Sequence, residues 1–136
     1  MKRLLLLFLL ILSCFQRSGL PSIEVYTLDN EKVNLSDYSR GKVLIYVWSR
    51  TCSGHSRDLK ELPRLVSKYT VISYAVGMTP DEVKESYKQL GIRPNFLTLV
   101  DPAIKFNDYY PIVYLPSSYL FENGKLIRSG PGLIVQ

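Results

Sequence analysis

Thiols are scarce in this chain of 136 residues: it has two cysteines, Cys14 and Cys52, and a single histidine, His55. With Cys14 in a leader, as argued below, the folded part keeps one thiol and can form no internal disulfide. Long apolar runs are missing too. The longest, Leu4 to Leu12, is about half of the roughly 20 residues that a membrane-spanning helix needs. Charge of one sign is modest: the formal +5 falls to +3 once Lys2 and Arg3 leave with the leader. The remaining charges are scattered, which argues against nucleic acid as a partner. Arg57, Lys60, Arg64 and Lys68 would stripe one helix face, most simply a solvated one. No repeat or low-complexity stretch interrupts the chain. A content of 46% hydrophobic and 21% charged residues is that of one globular domain and not of a disordered chain.

What is present begins with a targeting segment. Met1-Lys2-Arg3 is a short basic region before the apolar run, the pattern of an export signal. Ile11-Leu12-Ser13-Cys14 then has the form of a bacterial lipobox: aliphatic, variable, small, and the cysteine that becomes the lipidated first residue. The expectation is a lipoprotein-type signal over 1–13, lipid attachment and a tether over 14–22, and a single domain over 23–136. A diacylated Cys14 would hold the protein on the membrane, since two chains anchor where one barely does.

The domain reads as alternating strands and helices. Strands are expected at 23–28 and 33–35, with a turn over 29–32 and a loop over 36–42. Val43 to Trp48 is apolar without alternation, as in a strand buried on both faces of a parallel sheet. Leu59, Leu62, Val66 and Tyr69 recur at helical spacing, which predicts a helix from about Cys52 to Lys68 kinked by Pro63. A strand over 70–78 follows. The next helix has the clearest start in the chain: Thr79 caps, Pro80 takes the first helical position, Glu82 closes a capping box, and Gly91 ends it. Phe96 to Val100 reads as a short strand and Ala103 to Tyr110 as a helical turn. Ser117–Glu122 and Lys125–Ser129 flank Asn123-Gly124, a strong hairpin signal.

The chemistry concentrates at Cys52-Ser53-Gly54-His55, where a strand hands over to a helix. Unpaired N–H groups at a helix start stabilise an anion, so a thiol there is biased toward thiolate. His55, three residues on, would share that face; it reads as a proton partner for the thiol, as half of a soft-metal site with Met78 as a third ligand, or as a solvated side chain. Cys52 itself is either a nucleophile or an inert buried thiol. Trp48 and Tyr46 read as core aromatics.

Several pieces then fall into one order: Leu28 to Tyr38 with Gly41-Lys42, a strand ending in Trp48, Cys52 four residues later, Gly91-Ile92, Asp101, Pro116, and Glu122-Asn123-Gly124-Lys125. From about Pro21 to Gly130 the chain resembles the thioredoxin-like family, specifically the exported thiol–disulfide oxidoreductases of the cytochrome-maturation and TlpA type. The resemblance implies an α/β fold with a mixed central sheet flanked by helices, and partners that are protein thiols and disulfides, with no cofactor and no metal. It implies that Pro116 takes the cis form beside Cys52, where its flanking backbone would pair with an extended substrate. Departures are as telling. His55 stands where the second active-site cysteine belongs, Thr51 where an aromatic is usual, and Tyr46 where some thioredoxins bury an acid. Asp58 keeps an acid that TlpA-type relatives carry three residues past the motif. The chain stops at Gln136, where the family continues into a helix, which implies an uncovered sheet face for a partner, a second copy or the membrane. The peroxiredoxin arrangement Pro-x-x-x-Thr-x-x-Cys is absent.

The expected function is therefore a membrane-tethered, extracytoplasmic thiol–disulfide oxidoreductase or isomerase working through one nucleophile, with Cys52, His55 and Pro116 as its site and Cys14 as its lipid anchor. The alternative is a binding module without turnover, or a copper-handling protein.

Overall fold

The computed structural model describes residues 19–135, so the leader and Cys14 lie outside the described residues. Seven strands form one sheet: β1 Glu24–Tyr26, β2 Lys32–Asn34, β3 Lys42–Trp48, β4 Thr70–Val76, β5 Leu97–Asp101, β6 Ser117–Glu122 and β7 Lys125–Pro131. Their order is β2-β1-β5-β4-β3-β6-β7, with β3, β4 and β5 parallel and the other neighbours antiparallel. The sheet is mixed, as expected. Helix α1, His55–Glu61, links β3 to β4, and helix α2, Pro80–Leu90, links β4 to β5. Both crossovers step the same way across the sheet, which puts the two helices on one face.

The apolar run of β3 serves both faces because successive side chains alternate. Val43, Ile45 and Val47 enter a core with Leu35, Phe106, Tyr119 and Phe121. Leu44, Tyr46 and Trp48 enter the other, under Leu59 and Leu62 from the α1 side and Val83 and Tyr87 from α2. The first face has no α-helix among the described residues. Short 3-10 turns at Leu35–Tyr38 and Lys105–Asp108 cover it, with Phe106 packed against Tyr74, Tyr110 and Tyr119 at centroid distances of 5.1, 5.5 and 5.0 Å.

Helix α2 follows its sequence signals closely. Thr79 and Glu82 form the capping box, Pro80 opens the helix, and Gly91 ends it at φ 68°. Helix α1 does not. The predicted helix over 52–68 shrinks to His55–Glu61, followed by a 3-10 turn at Leu62–Leu65. Gly54 sits at φ 82°, a left-handed conformation that helical backbone cannot continue through, so the helix begins after it. Pro63 lacks the N–H that an α-turn would need and opens the tighter turn instead of kinking a longer helix.

The expected open sheet face is partly covered. Leu133 and Ile134 pack on the α-helical core and Val135 is buried there, while β7 stays largely exposed, with Ile127 at 53%. Among the described residues no helix is long and apolar enough to cross a membrane.

Candidate active site

Cys52 lies in the turn between β3 and α1, half-buried, with its backbone N–H bonded to the Ser49 carbonyl. Its thiol donates to the same carbonyl at 2.9 Å. It therefore stands three residues before the helix and not on its first turn, contrary to the sequence expectation. Burial pushes the Cys52 thiol above its ordinary value. Backbone hydrogen bonds at Ser49, Cys52 and His55 pull it down by less, and the nearby Asp58 carboxylate adds to the rise. The expected bias toward thiolate is thus reversed in this conformation, because desolvation outweighs the backbone dipoles.

The imidazole also differs from expectation. His55 Nδ1 lies 2.8 Å from the Cys52 carbonyl oxygen. A carbonyl only accepts, so Nδ1 carries the proton, and in the neutral ring Nε2 is the bare nitrogen. The ring stacks on Trp48, 5.4 Å between centroids and 9° from parallel. His55 thus engages the backbone of Cys52 and the indole, with Nδ1 unavailable to the sulfur. Beside it runs a groove of about 310 Å³ that Arg50, Glu82, Glu85 and Gln89 also line, with Arg50 paired to Glu82 at 2.7 Å.

Beneath the turn sits a pair that sequence reasoning left apart. Tyr46 of β3 donates its phenol to Asp58 Oδ2 at 2.7 Å, and both residues are buried. Burial and this carboxylate push the phenol far above its ordinary range. Tyr46 is therefore more than a core aromatic: it is the hydrogen-bond donor to the acid of α1.

Topology brings Pro116 to the same sheet edge. Ser117 pairs with Val47 at the end of β3, so the turn before β6 lies alongside the strand end that leads into Cys52. The Leu115–Pro116 peptide is cis, and the Pro116 carbonyl accepts from Gly132 N–H at 2.8 Å.

A parallel β-α-β core extended by an antiparallel hairpin, a cis-proline before that hairpin and a cysteine at the end of β3 decide the architecture. The fold is thioredoxin-like. Solved structures agree. The pneumococcal exposed lipoprotein thioredoxin Etrx1 of Streptococcus pneumoniae is similar at 25% identity and a TM-score of 0.69, over 85% of this chain and 92% of that one. The thioredoxin domain of a thiol–disulfide oxidoreductase from Bacteroides vulgatus matches at 17% identity and a TM-score of 0.70, over 85% and 87%. StoA from Bacillus subtilis matches at 13% identity and a TM-score of 0.66, over 88% and 93%. No protein-family model and no curated protein matches the chain by sequence.

Within this thioredoxin-like domain, Met78 is buried in the apolar core of the helical face, where a core side chain is the simplest reading. No group of three or more His, Cys, Asp or Glu side chains that could hold a metal exists among the described residues. Two further features leave no mark in local sequence. Ser117 Oγ, next to the cis-proline, is buried with no hydrogen-bond partner. Trp48 is tied from behind by Nε1–H donation to Ser73 Oγ at 2.8 Å. Both depend on strand pairing between distant segments, which no local spacing reports.

Proposed function

We propose that this thioredoxin-like domain exchanges disulfides through the single thiol of Cys52, and that it works outside the cytoplasm, held at the membrane by lipid on Cys14. The observation that carries the chemical part is the half-buried Cys52 in the turn after β3, whose end pairs with Ser117 next to the cis-Pro116, with no second cysteine among the described residues. Once deprotonated, the Cys52 sulfur attacks one sulfur of a protein disulfide. The substrate S–S bond breaks, a mixed disulfide forms on Cys52, and the departing thiolate takes up a proton. A second thiol, from the substrate or from a partner protein, then attacks the mixed disulfide and releases Cys52. When that thiol belongs to the substrate the net result is isomerisation, with no change in oxidation state. Pro116 contributes the backbone edge against which an extended substrate segment lies. His55 belongs to the site through the carbonyl of Cys52. The likeness to an exposed lipoprotein thioredoxin supports the location.

The raised thiol has a consequence for rate. Exchange should be slow at neutral pH and accelerate as pH rises, since only the thiolate attacks. The test uses the full chain and an aromatic disulfide whose released thiol absorbs light. One equivalent should be released at Cys52, located by peptide mass, at a rate that climbs through the thiol's titration, leaving a stable mixed disulfide. A folded protein whose Cys52 stays unmodified at alkaline pH would instead be a binding module. Lipid on Cys14 is tested separately by the mass of the protein purified from membranes.

A further inference from the structure

The strongest unabsorbed feature is a chain of contacts that ends on His55. Apart from the Tyr46–Asp58 pair, four polar groups in the core of the helical face form one network: Trp48 Nε1, Ser73 Oγ, Tyr87 Oη and Thr98 Oγ1, all on buried residues. Every one is satisfied. Ser73 Oγ accepts from Trp48 Nε1–H at 2.8 Å and from the Tyr87 hydroxyl at 2.7 Å, and Tyr87 Oη lies 2.8 Å from Thr98 Oγ1. Tyr87 also stacks on Trp48 at 6.0 Å and 26°. A fully paired buried network rigidifies what it holds, and what it holds here is the indole plane. On that plane lies the His55 ring, and from that ring Nδ1–H reaches the carbonyl of Cys52.

We infer that His55 is a positioning residue, a brace that fixes the Cys52 turn to the Trp48–Ser73–Tyr87 network through its stacked ring and its Nδ1–H bond to the Cys52 carbonyl. This rests on the reading of Cys52 as the reacting group. The position of a second cysteine is thus occupied by a strut, which explains how a one-thiol site keeps its turn in place with no disulfide or dithiol across it. The brace matters for reactivity because the backbone groups that partly offset burial of the sulfur belong to that same turn, at Ser49, Cys52 and His55. Released, the turn would leave the thiol with its burial and with the field of Asp58. The charged or titratable groups around the pair are Asp58 and Tyr46 near the sulfur, with Arg57 beside Asp58, and Arg50, Glu82 and Glu85 along the groove beside the imidazole.

The chain offers a clean readout, because Trp48 is its single tryptophan and His55 its single histidine. In the full-length protein, Trp48 emission at neutral pH should change in His55→Asn, which removes the stacked ring, and change less in His55→Phe, which keeps one. The two variants separate the ring from its donor. Asparagine keeps an N–H close to the place of Nδ1, whereas phenylalanine keeps a stacking ring and loses the hydrogen bond. Alkylation of Cys52 against pH, followed by peptide mass so that Cys14 does not interfere, should shift upward by about half a unit to one unit in His55→Phe, which loses the bond to the turn, and by less in His55→Asn, which loses only the stack. Ser73→Ala, which loosens the indole from behind without touching the turn, should move the midpoint the same way by less. Equal shifts in the two His55 variants would mean that the imidazole acts by charge, and that overturns the brace. A Cys52 that exchanges disulfides but ignores His55→Phe overturns it as well, leaving the functional reading intact. A wild-type Cys52 that never exchanges removes that reading and this inference together.

Discussion

The two helices on one face of the sheet start in opposite ways. At α2, Thr79 and Glu82 satisfy each other's backbone N–H groups, Pro80 needs no partner for a hydrogen it lacks, and Arg50 pairs with the Glu82 carboxylate. At α1, the residue before the helix is Gly54 in a left-handed conformation with no side-chain cap. One start is closed by its own side chains. The other leaves first-turn N–H groups without a side-chain cap, and the only described cysteine stands just before it. A scaffold helix gains from self-satisfaction, whereas a helix that borders a site can leave its end uncapped.

The comparison can be broken in order of expected effect. Tyr46→Phe takes from Asp58, in the first turn of α1, its 2.7 Å donor and leaves a buried acceptor short. Urea unfolding should lose roughly 1–3 kcal/mol. A loss below about 0.5 kcal/mol, the level of an ordinary surface change, would mean that α1 does not depend on its strand for support. Gly54→Ala should cost roughly 1–2 kcal/mol, the strain of a left-handed alanine, because an added Cβ there meets nothing within 4 Å. Thr79→Ala should cost about 1 kcal/mol by opening the capping box of α2. If Gly54→Ala were the milder of the two, the left-handed turn would not be what starts α1.

The smallest effects are in pH, and they have opposite signs at the two helices. The hydrogen bonds from Thr79 hold the exposed Glu82 carboxyl below its ordinary value, so its contribution to α2 is complete at neutral pH. That contribution should fade as pH falls through the folded-state value. Glu82→Gln should flatten this acid limb. Cys52 runs the other way. Its folded-state value is raised, so the unfolded chain loses the thiol proton first and stability should decline as pH climbs beyond the ordinary thiol range. Cys52→Ala should remove that part of the alkaline decline. Urea midpoints across pH would show both, and a wild type flat at either end would contradict the corresponding assignment.

Much of the scaffold was legible residue by residue. The capping box, the hairpin at Asn123-Gly124 and the double-faced strand Val43–Trp48 are local patterns, and the structure has each of them where it was read. The position of Cys52 after a buried strand and the match of Pro116 to a cis-proline were also legible, the latter only by resemblance. The orientation of the site was not. Counting three residues from Cys52 to His55 assumes a helix between them, and Gly54 interrupts it. Tyr46 and Asp58 lie twelve positions apart, and Trp48 and Ser73 twenty-five; strand and helix packing, not spacing, makes them partners.

By itself the sequence determined the order of the main strands and helices, though not the extent of α1, that the domain is α/β, and that one thiol would stand after the end of β3. It could do so because capping, turn and alternation signals act over a few residues. Only the tertiary structure decided the state of that thiol and the company of its neighbours. Burial, the Asp58 field and the direction of the imidazole all depend on groups from β3, β4, α1 and α2 meeting in space, and desolvation there outweighs the backbone dipoles that the sequence alone would favour.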